Sequence, residues 1–138
     1  DKSFLITSNS ISVLLLTGML NSRLIEYILR YLCSGLGLKG LEVRKVFIVN
    51  LPIPNVKPYL TTCMEDLVSR ILFNHQSNKM INALESQIDL MIYKLYELSY
   101  AEAKLIDPDL DSVLASFNLS AQDFERMSIE DLSKVEVK

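Results

Sequence analysis

The chain has little of what enzymes use. It holds one histidine, His75, and two cysteines, Cys33 and Cys63, in 138 residues. A hydrolytic triad needs a histidine base held by a carboxylate, and His75 stands in a polar stretch (Asn74-His75-Gln76-Ser77-Asn78) with no orienting partner. No cysteine or carboxylate lies at ligand spacing from it, so it reads as a solvated turn residue and no metal site is expected. The two cysteines fall on apolar helical positions, which fits buried reduced thiols and a cytoplasmic protein better than a disulfide. Glycine is scarce too. Gly35, Gly37 and Gly40 follow a helix instead of joining a strand to one, so no loop is there to cradle phosphates. The longest apolar run, residues 11–20, is interrupted by Ser12, Thr17 and Gly18 and is about half the ~20 residues a bilayer span requires. It lacks the basic flank and cleavage site of a signal peptide, and no membrane contact is expected. No catalytic residue emerges, and no cofactor is expected in this chain.

What is present is apolar material. The hydrophobic fraction is 49% and the mean hydropathy +0.23, enough for one dense domain core. The start at Asp1-Lys2-Ser3-Phe4, without an initiator Met, leads to a second expectation: a piece of a larger protein, one face of which meets the remainder.

Helical spacing dominates between residues 59 and 98. Leu60, Met64, Leu67 and Ile71 form one seam, and Ile81, Leu84, Ile88, Met91 and Leu95 a second beyond the polar break at His75. Steps of three and four residues mark an apolar stripe on each helix, and the short link folds the two back as an antiparallel pair. Before them, 3–7 is β-prone, 13–20 reads as a helix apolar on nearly all sides, and 23–32 as a helix with Arg23, Glu26 and Arg30 outward. Ser34-Gly35-Leu36-Gly37 stops it. Val43, Val46, Phe47, Ile48 and Val49 read as a strand, and Leu51-Pro52-Ile53-Pro54 as an extended exit from it. After the pair, Ser99 and Glu102 fit a capping box, and Ser120 to Asp123 and Ser128 to Asp131 repeat small capped turns, with 135–138 fraying. The expected fold is therefore mainly α with a few short strands, a long antiparallel helix pair attached to a truncated α/β recognition subdomain. Its divisions are 1–58, 59–107 as a helical hairpin spacer, and 108–138 as a small helical extension.

Net charge is −3, unevenly spread. Arg23, Arg30, Lys39, Arg44, Lys45 and Lys57 face only Glu26 and Glu42 between residues 23 and 57, whereas 99–138 is acidic. A basic middle can attract phosphate, although most charge runs are plain solvated surface. Six tyrosines at mostly helical positions read as rings on the core edge before they read as base-stacking platforms.

The order of these parts carries a resemblance. Leu20-Asn21-Ser22-Arg23-Leu24-Ile25, a glycine break, Leu51-Pro52-Ile53-Pro54, a long helical pair, and Ile92-Tyr93-Lys94-Leu95-Tyr96-Glu97-Leu98-Ser99 with Glu102 come in that sequence. Together they resemble the C-terminal specificity (target-recognition) domain of restriction–modification DNA adenine methyltransferases of the TaqI-like and type IIG class. The first two phrases are also similar to those in specificity subunits of type I restriction enzymes. The resemblance covers about residues 3–107 and leaves 108–138 unmatched. It implies double-stranded DNA as partner, held so that a separate methyltransferase or nuclease domain can flip and N6-methylate an adenine. The S-adenosylmethionine loop and the Asn-Pro-Pro-Tyr motif are absent, so the cofactor belongs to that other domain. Arg44 and Lys45, then Lys39, Arg30, Arg23 and Lys57, are the expected phosphate contacts; on a strand Arg44 and Lys45 would point to opposite faces. The competing reading is a helical interaction or dimerisation module without DNA contact. A small-ligand domain has no motif in its favour.

Overall fold

The computed structural model describes residues 5–33, 43–73 and 76–136. Helices α1 (Val13–Leu20), α2 (Arg23–Leu32), α3 (Lys45–Val49), α4 (Pro58–Phe73), α5 (Asn78–Leu95), α6 (Tyr100–Ile106), α7 (Leu110–Ser116), α8 (Ala121–Arg126) and α9 (Ile129–Leu132) account for most of them, and no strand occurs among the described residues. The protein is mainly helical. The helix-stopping segment at Ser34, Gly35 and Gly37, Lys39, and the turn at Asn74 and His75 lie outside the described residues, as do Ser3 and Phe4.

Helix α5 is the element the others cover. Every residue from 87 to 93 is buried, the polar Gln87 and Asp89 included. A helix buried on all sides has to be enclosed by neighbours, and α2, α4 and α9 all pack on it. Helix α1 in turn lies along α4, made possible by Gly18: a Cβ there would stand 2.8 Å from Val68 Cγ2. One cluster of buried side chains runs from Leu15 and Met19 through Leu60, Met64, Leu67, Leu84, Ile88 and Met91 to Leu110, Leu114, Phe124 and Leu132, so segments 1–58, 59–107 and 108–138 share a core.

Neither expected strand occurs among the described residues. Leu5 is 88% exposed and residues 5–8 pair with nothing regular. Residues 45–49 are a helix, which corrects the α/β reading of the first segment. β-branched residues fit pleated surfaces, but that preference gives way to packing. Val43, Phe47, Ile48 and Leu51 recur at helical intervals, and as a helix they present one face to Ile25, Leu29 and Cys33 of a second, smaller cluster. Val46 and Val49 are left in solvent.

Local chemistry sets the helix ends. Ser12 begins α1, Ser22 begins α2 and Ser77 begins α5, each accepting a backbone N–H of the first turn. Full capping boxes open α6 at Ser99–Glu102, α8 at Ser120–Asp123 and α9 at Ser128–Asp131. Helices α5 and α7 close on residues of positive φ, Glu97 (57°) and Asn118 (55°). In each case the next N–H reaches back five residues, Leu98 to the Tyr93 carbonyl and Leu119 to the Leu114 carbonyl, both at 2.9 Å. The end of the chain does not fray at Val135. The buried Gln87 amide donates to the carbonyls of Leu132 (3.1 Å), Ser133 (3.3 Å) and Val135 (3.0 Å), satisfying the last turn of α9 from inside the core.

Two substitutions test this account. Gly18→Leu forces α1 away from α4 and should cost about 1–3 kcal/mol in a denaturant titration. Glu97→Gly removes the left-handed penalty at the end of α5 and should stabilise by about 1 kcal/mol in the same assay.

Candidate functional site

Among the described residues, buried charge is found at the junction of α2, α5 and α6. Ser22, buried between α1 and α2, donates to the Met19 carbonyl (2.7 Å) and accepts from the Ile25 N–H, so the chain turns sharply there. That turn delivers the Arg23 N–H to Asp89 Oδ1 at 2.9 Å. The Arg23 side chain follows: Nε lies 3.6 Å from Asp89 Oδ2, and Nη1 donates to Asp107 Oδ1 at 3.2 Å. Asp107 closes α6 through its own N–H and also accepts the Asp109 N–H at 3.1 Å. One guanidinium thus braces three helices through two buried carboxylates. The Tyr93 hydroxyl, one turn along α5 from Asp89, is buried and finds no hydrogen-bond partner among the described residues.

Electrostatics follow from this burial. Desolvation pushes the Asp89 carboxyl up to about 7, against the Arg23 N–H and guanidinium, which favour its charge; Asp107 and Glu85 add to the rise. Desolvation, with Asp89 and Asp107 nearby, also drives the Tyr93 hydroxyl well above the usual tyrosine range. The carboxylates that cap helices or meet cations on the surface behave oppositely. Hydrogen bonds from Ser99 lower Glu102, those from Ser120 lower Asp123, those from Ser128 lower Asp131, and Lys104 with Tyr100 lowers Asp111.

The residues anticipated to meet phosphate are not one patch. Arg23, about half exposed, is engaged by Asp89 and Asp107 as described. Arg30 pairs with Glu26 along α2, and Lys57 lies 3.8 Å from Glu130 of α9. Arg44 and Lys45 are exposed where α3 begins. Arg44 is the extended residue before α3 and Lys45 the first residue of the helix, so the strict alternation of a strand does not govern the two side chains. Lys39 is outside the described residues. Of the seam, Leu60, Met64, Leu67, Leu84, Ile88 and Met91 are buried, Ile71 and Leu95 pack against the core at partial exposure, and Ile81 is half-buried.

Sequence reading missed Asp89, Asp107 and Gln87. A signal existed: an acid and an amide inside the otherwise apolar stretch 87–93 must be buried with partners. Among the described residues no group of His, Cys, Asp and Glu could hold a metal ion, and no helix is long and apolar enough to cross a membrane.

The brace makes stability depend on pH. Asp89 titrates near 7 when folded and near 3.8 when unfolded, so the folded state holds the extra proton between these values. The cost of its charge is absent below about pH 4, builds as the pH rises from there and is complete once the folded carboxyl ionises near 7; the lowered capping carboxylates stabilise above about pH 4 and lose that contribution only below it. Thermal melts should show the wild-type chain losing stability from pH 5.5 to pH 8.5 relative to Asp89→Asn, which keeps an acceptor for the Arg23 N–H. Parallel profiles for the two proteins would refute the assignment.

No family model, curated protein or solved structure gives a significant match to the chain.

Proposed function

We propose that the chain is the non-catalytic, DNA-positioning C-terminal part of a restriction–modification methyltransferase or endonuclease. In this reading α4 and α5 form an antiparallel spacer, the preceding segment is the end of a target-recognition unit, and double-stranded DNA is the ligand. S-adenosylmethionine chemistry belongs to a separate methyltransferase or nuclease domain. The supporting observation is that the phrases carrying the resemblance, distant in sequence, meet in space. Arg23, in the first, holds Asp89 of α5 and Asp107 at the close of α6. Pro52, in the second, accepts a 2.7 Å hydrogen bond from Tyr96 Oη in the third. Segments coupled in this way behave as one functional unit. A basic surface at Arg44 and Lys45 supplies phosphate contacts that set position without reading bases. Arg23 acts as an internal brace and leaves that set.

Fluorescence anisotropy with a duplex oligonucleotide is the test. Affinity should fall steeply with salt, and Arg44→Glu with Lys45→Glu should weaken binding about tenfold and flatten the salt slope by up to about two. Binding indifferent to both salt and the double substitution would remove DNA from the account.

A second reading has one observation in its favour: Tyr31, Leu32, Val46, Val49, Leu72 and Phe73 are exposed large hydrophobic residues. They would serve an interaction or homodimer surface. The seam itself cannot, since this chain's own core already uses most of it. A stable dimer in light scattering, unaffected by duplex DNA, selects this reading.

A further inference from the structure

The core is in two parts. The main cluster gathers around α5, while Ile25, Leu29, Cys33 and Leu51 form a smaller one that Val43, Phe47 and Ile48 complete. No described side chain of α3 belongs to the main cluster, whereas α2 meets it through Leu24 and Ile28 and through the bonds of Arg23 to Asp89 and Asp107. Firm anchors stand on either side. Gly18 seats α1 on α4, and the Pro52 carbonyl accepts from Tyr96 Oη at 2.7 Å. Between those anchors α2 and α3 are 10 and 5 residues long, too short to persist as helices in water once undocked.

The brace that closes this arrangement is also where a proton is held. Asp89 faces Arg23 of α2, Asp107 at the close of α6, and Glu85 and Tyr93 of its own helix. In the groove beside it, α1 contributes Thr17 and Gly18 and α4 contributes Val68, Ile71 and Leu72, none of them titratable. Two carboxylates share one guanidinium there, and a single negative charge balances it. Burial holds the Asp89 carboxyl up to about 7 while the brace is closed. Undocking α2 returns that side chain to water, and its proton leaves to solvent.

We propose that α2 and α3 are one cooperative unit that undocks from α5 and melts while α1 and α4–α9 stay folded, and that the proton on Asp89 governs how often it does so. Proteins open in such units at free energies below that of global unfolding. Because this opening releases a proton, it becomes more frequent as the pH rises from about 4 to about 7 and levels off above that. Arg44 and Lys45 travel with the unit, so a rise in pH withdraws them from a duplex. That consequence rests on the DNA-positioning reading, whereas the opening itself is measured without DNA and stands or falls alone.

Native-state hydrogen exchange of the full chain, followed by NMR, reads the opening, and the buried Cys33 thiol gives a second report through its reaction with an aromatic disulfide. The α2 amides and the Cys33 thiol, the latter identified by peptide mass, should give one opening constant, at least about tenfold above that of the Leu90, Met91 and Ile92 amides. Corrected for intrinsic amide and thiolate chemistry, that constant should rise at least about tenfold from pH 5 to pH 8, and Asp89→Asn should abolish the rise. An α2 that opens only as often as α5, a Cys33 thiol out of step with the α2 amides, a wild-type chain without the pH response, or a response that survives Asp89→Asn would each overturn the proposal. The wild-type comparisons decide the matter even where that variant fails to fold.

Discussion

Seven successive buried residues in the middle of α5 are the constraint from which the rest of the fold follows. A helix can shed water from every side only if other elements are supplied to cover each face, and the sequence supplies them from both ends of the chain. Helix α2 arrives from before it, α4 adjoins it, and α9 arrives from after it. Once enclosed, Gln87 and Asp89 have no water to turn to and are met by the protein, whereas the Tyr93 hydroxyl is left without a partner among the described residues. Gln87 is met by the carbonyls of the last turn, and Asp89 by the backbone and guanidinium of Arg23. The burial of α5 thereby dictates where α9 ends and where α2 begins.

The brace at Arg23 shows how the same side chain can be read in two ways. On the outward face of an amphipathic helix, an arginine flanked by a basic stretch resembles a phosphate contact. Its position as the first residue of α2 decides otherwise, because the turn at Ser22 aims its N–H and its side chain at the same carboxylate. Roughly half of its side chain still meets solvent, at 48%, so the ion pair with Asp89 lies at the border between core and surface. Such placement specifies the docking of α2 more than it adds stability, since desolvating Asp89 offsets much of what Arg23 contributes.

Much of the architecture was legible from residue spacing. The seams at Leu60 to Ile71 and Leu84 to Leu95 were written in steps of three and four, and the tail's capping boxes in serine-to-acid pairs three residues apart. The short segment at Val46 to Val49 was not, because a run of β-branched residues satisfies a strand template locally while its helical contacts with Ile25 and Leu29 are long-range. The partner of Asp89 was invisible for a related reason: nothing near it in sequence announces that a turn some 66 residues before it will bring Arg23 to it. Local rules reveal caps and stripes. They do not reveal which distant charge a buried acid will find.

The three capping boxes of the tail carry a kinetic consequence. Each closes a ring spanning only three residues, and closing so short a loop costs little chain entropy. Helices α6, α8 and α9 therefore have their starting turns biased before any tertiary contact exists, although pieces of 7, 6 and 4 residues do not persist alone. Packing on the common core supplies the stability they lack, so helical order and tertiary contact in this part of the chain should appear together.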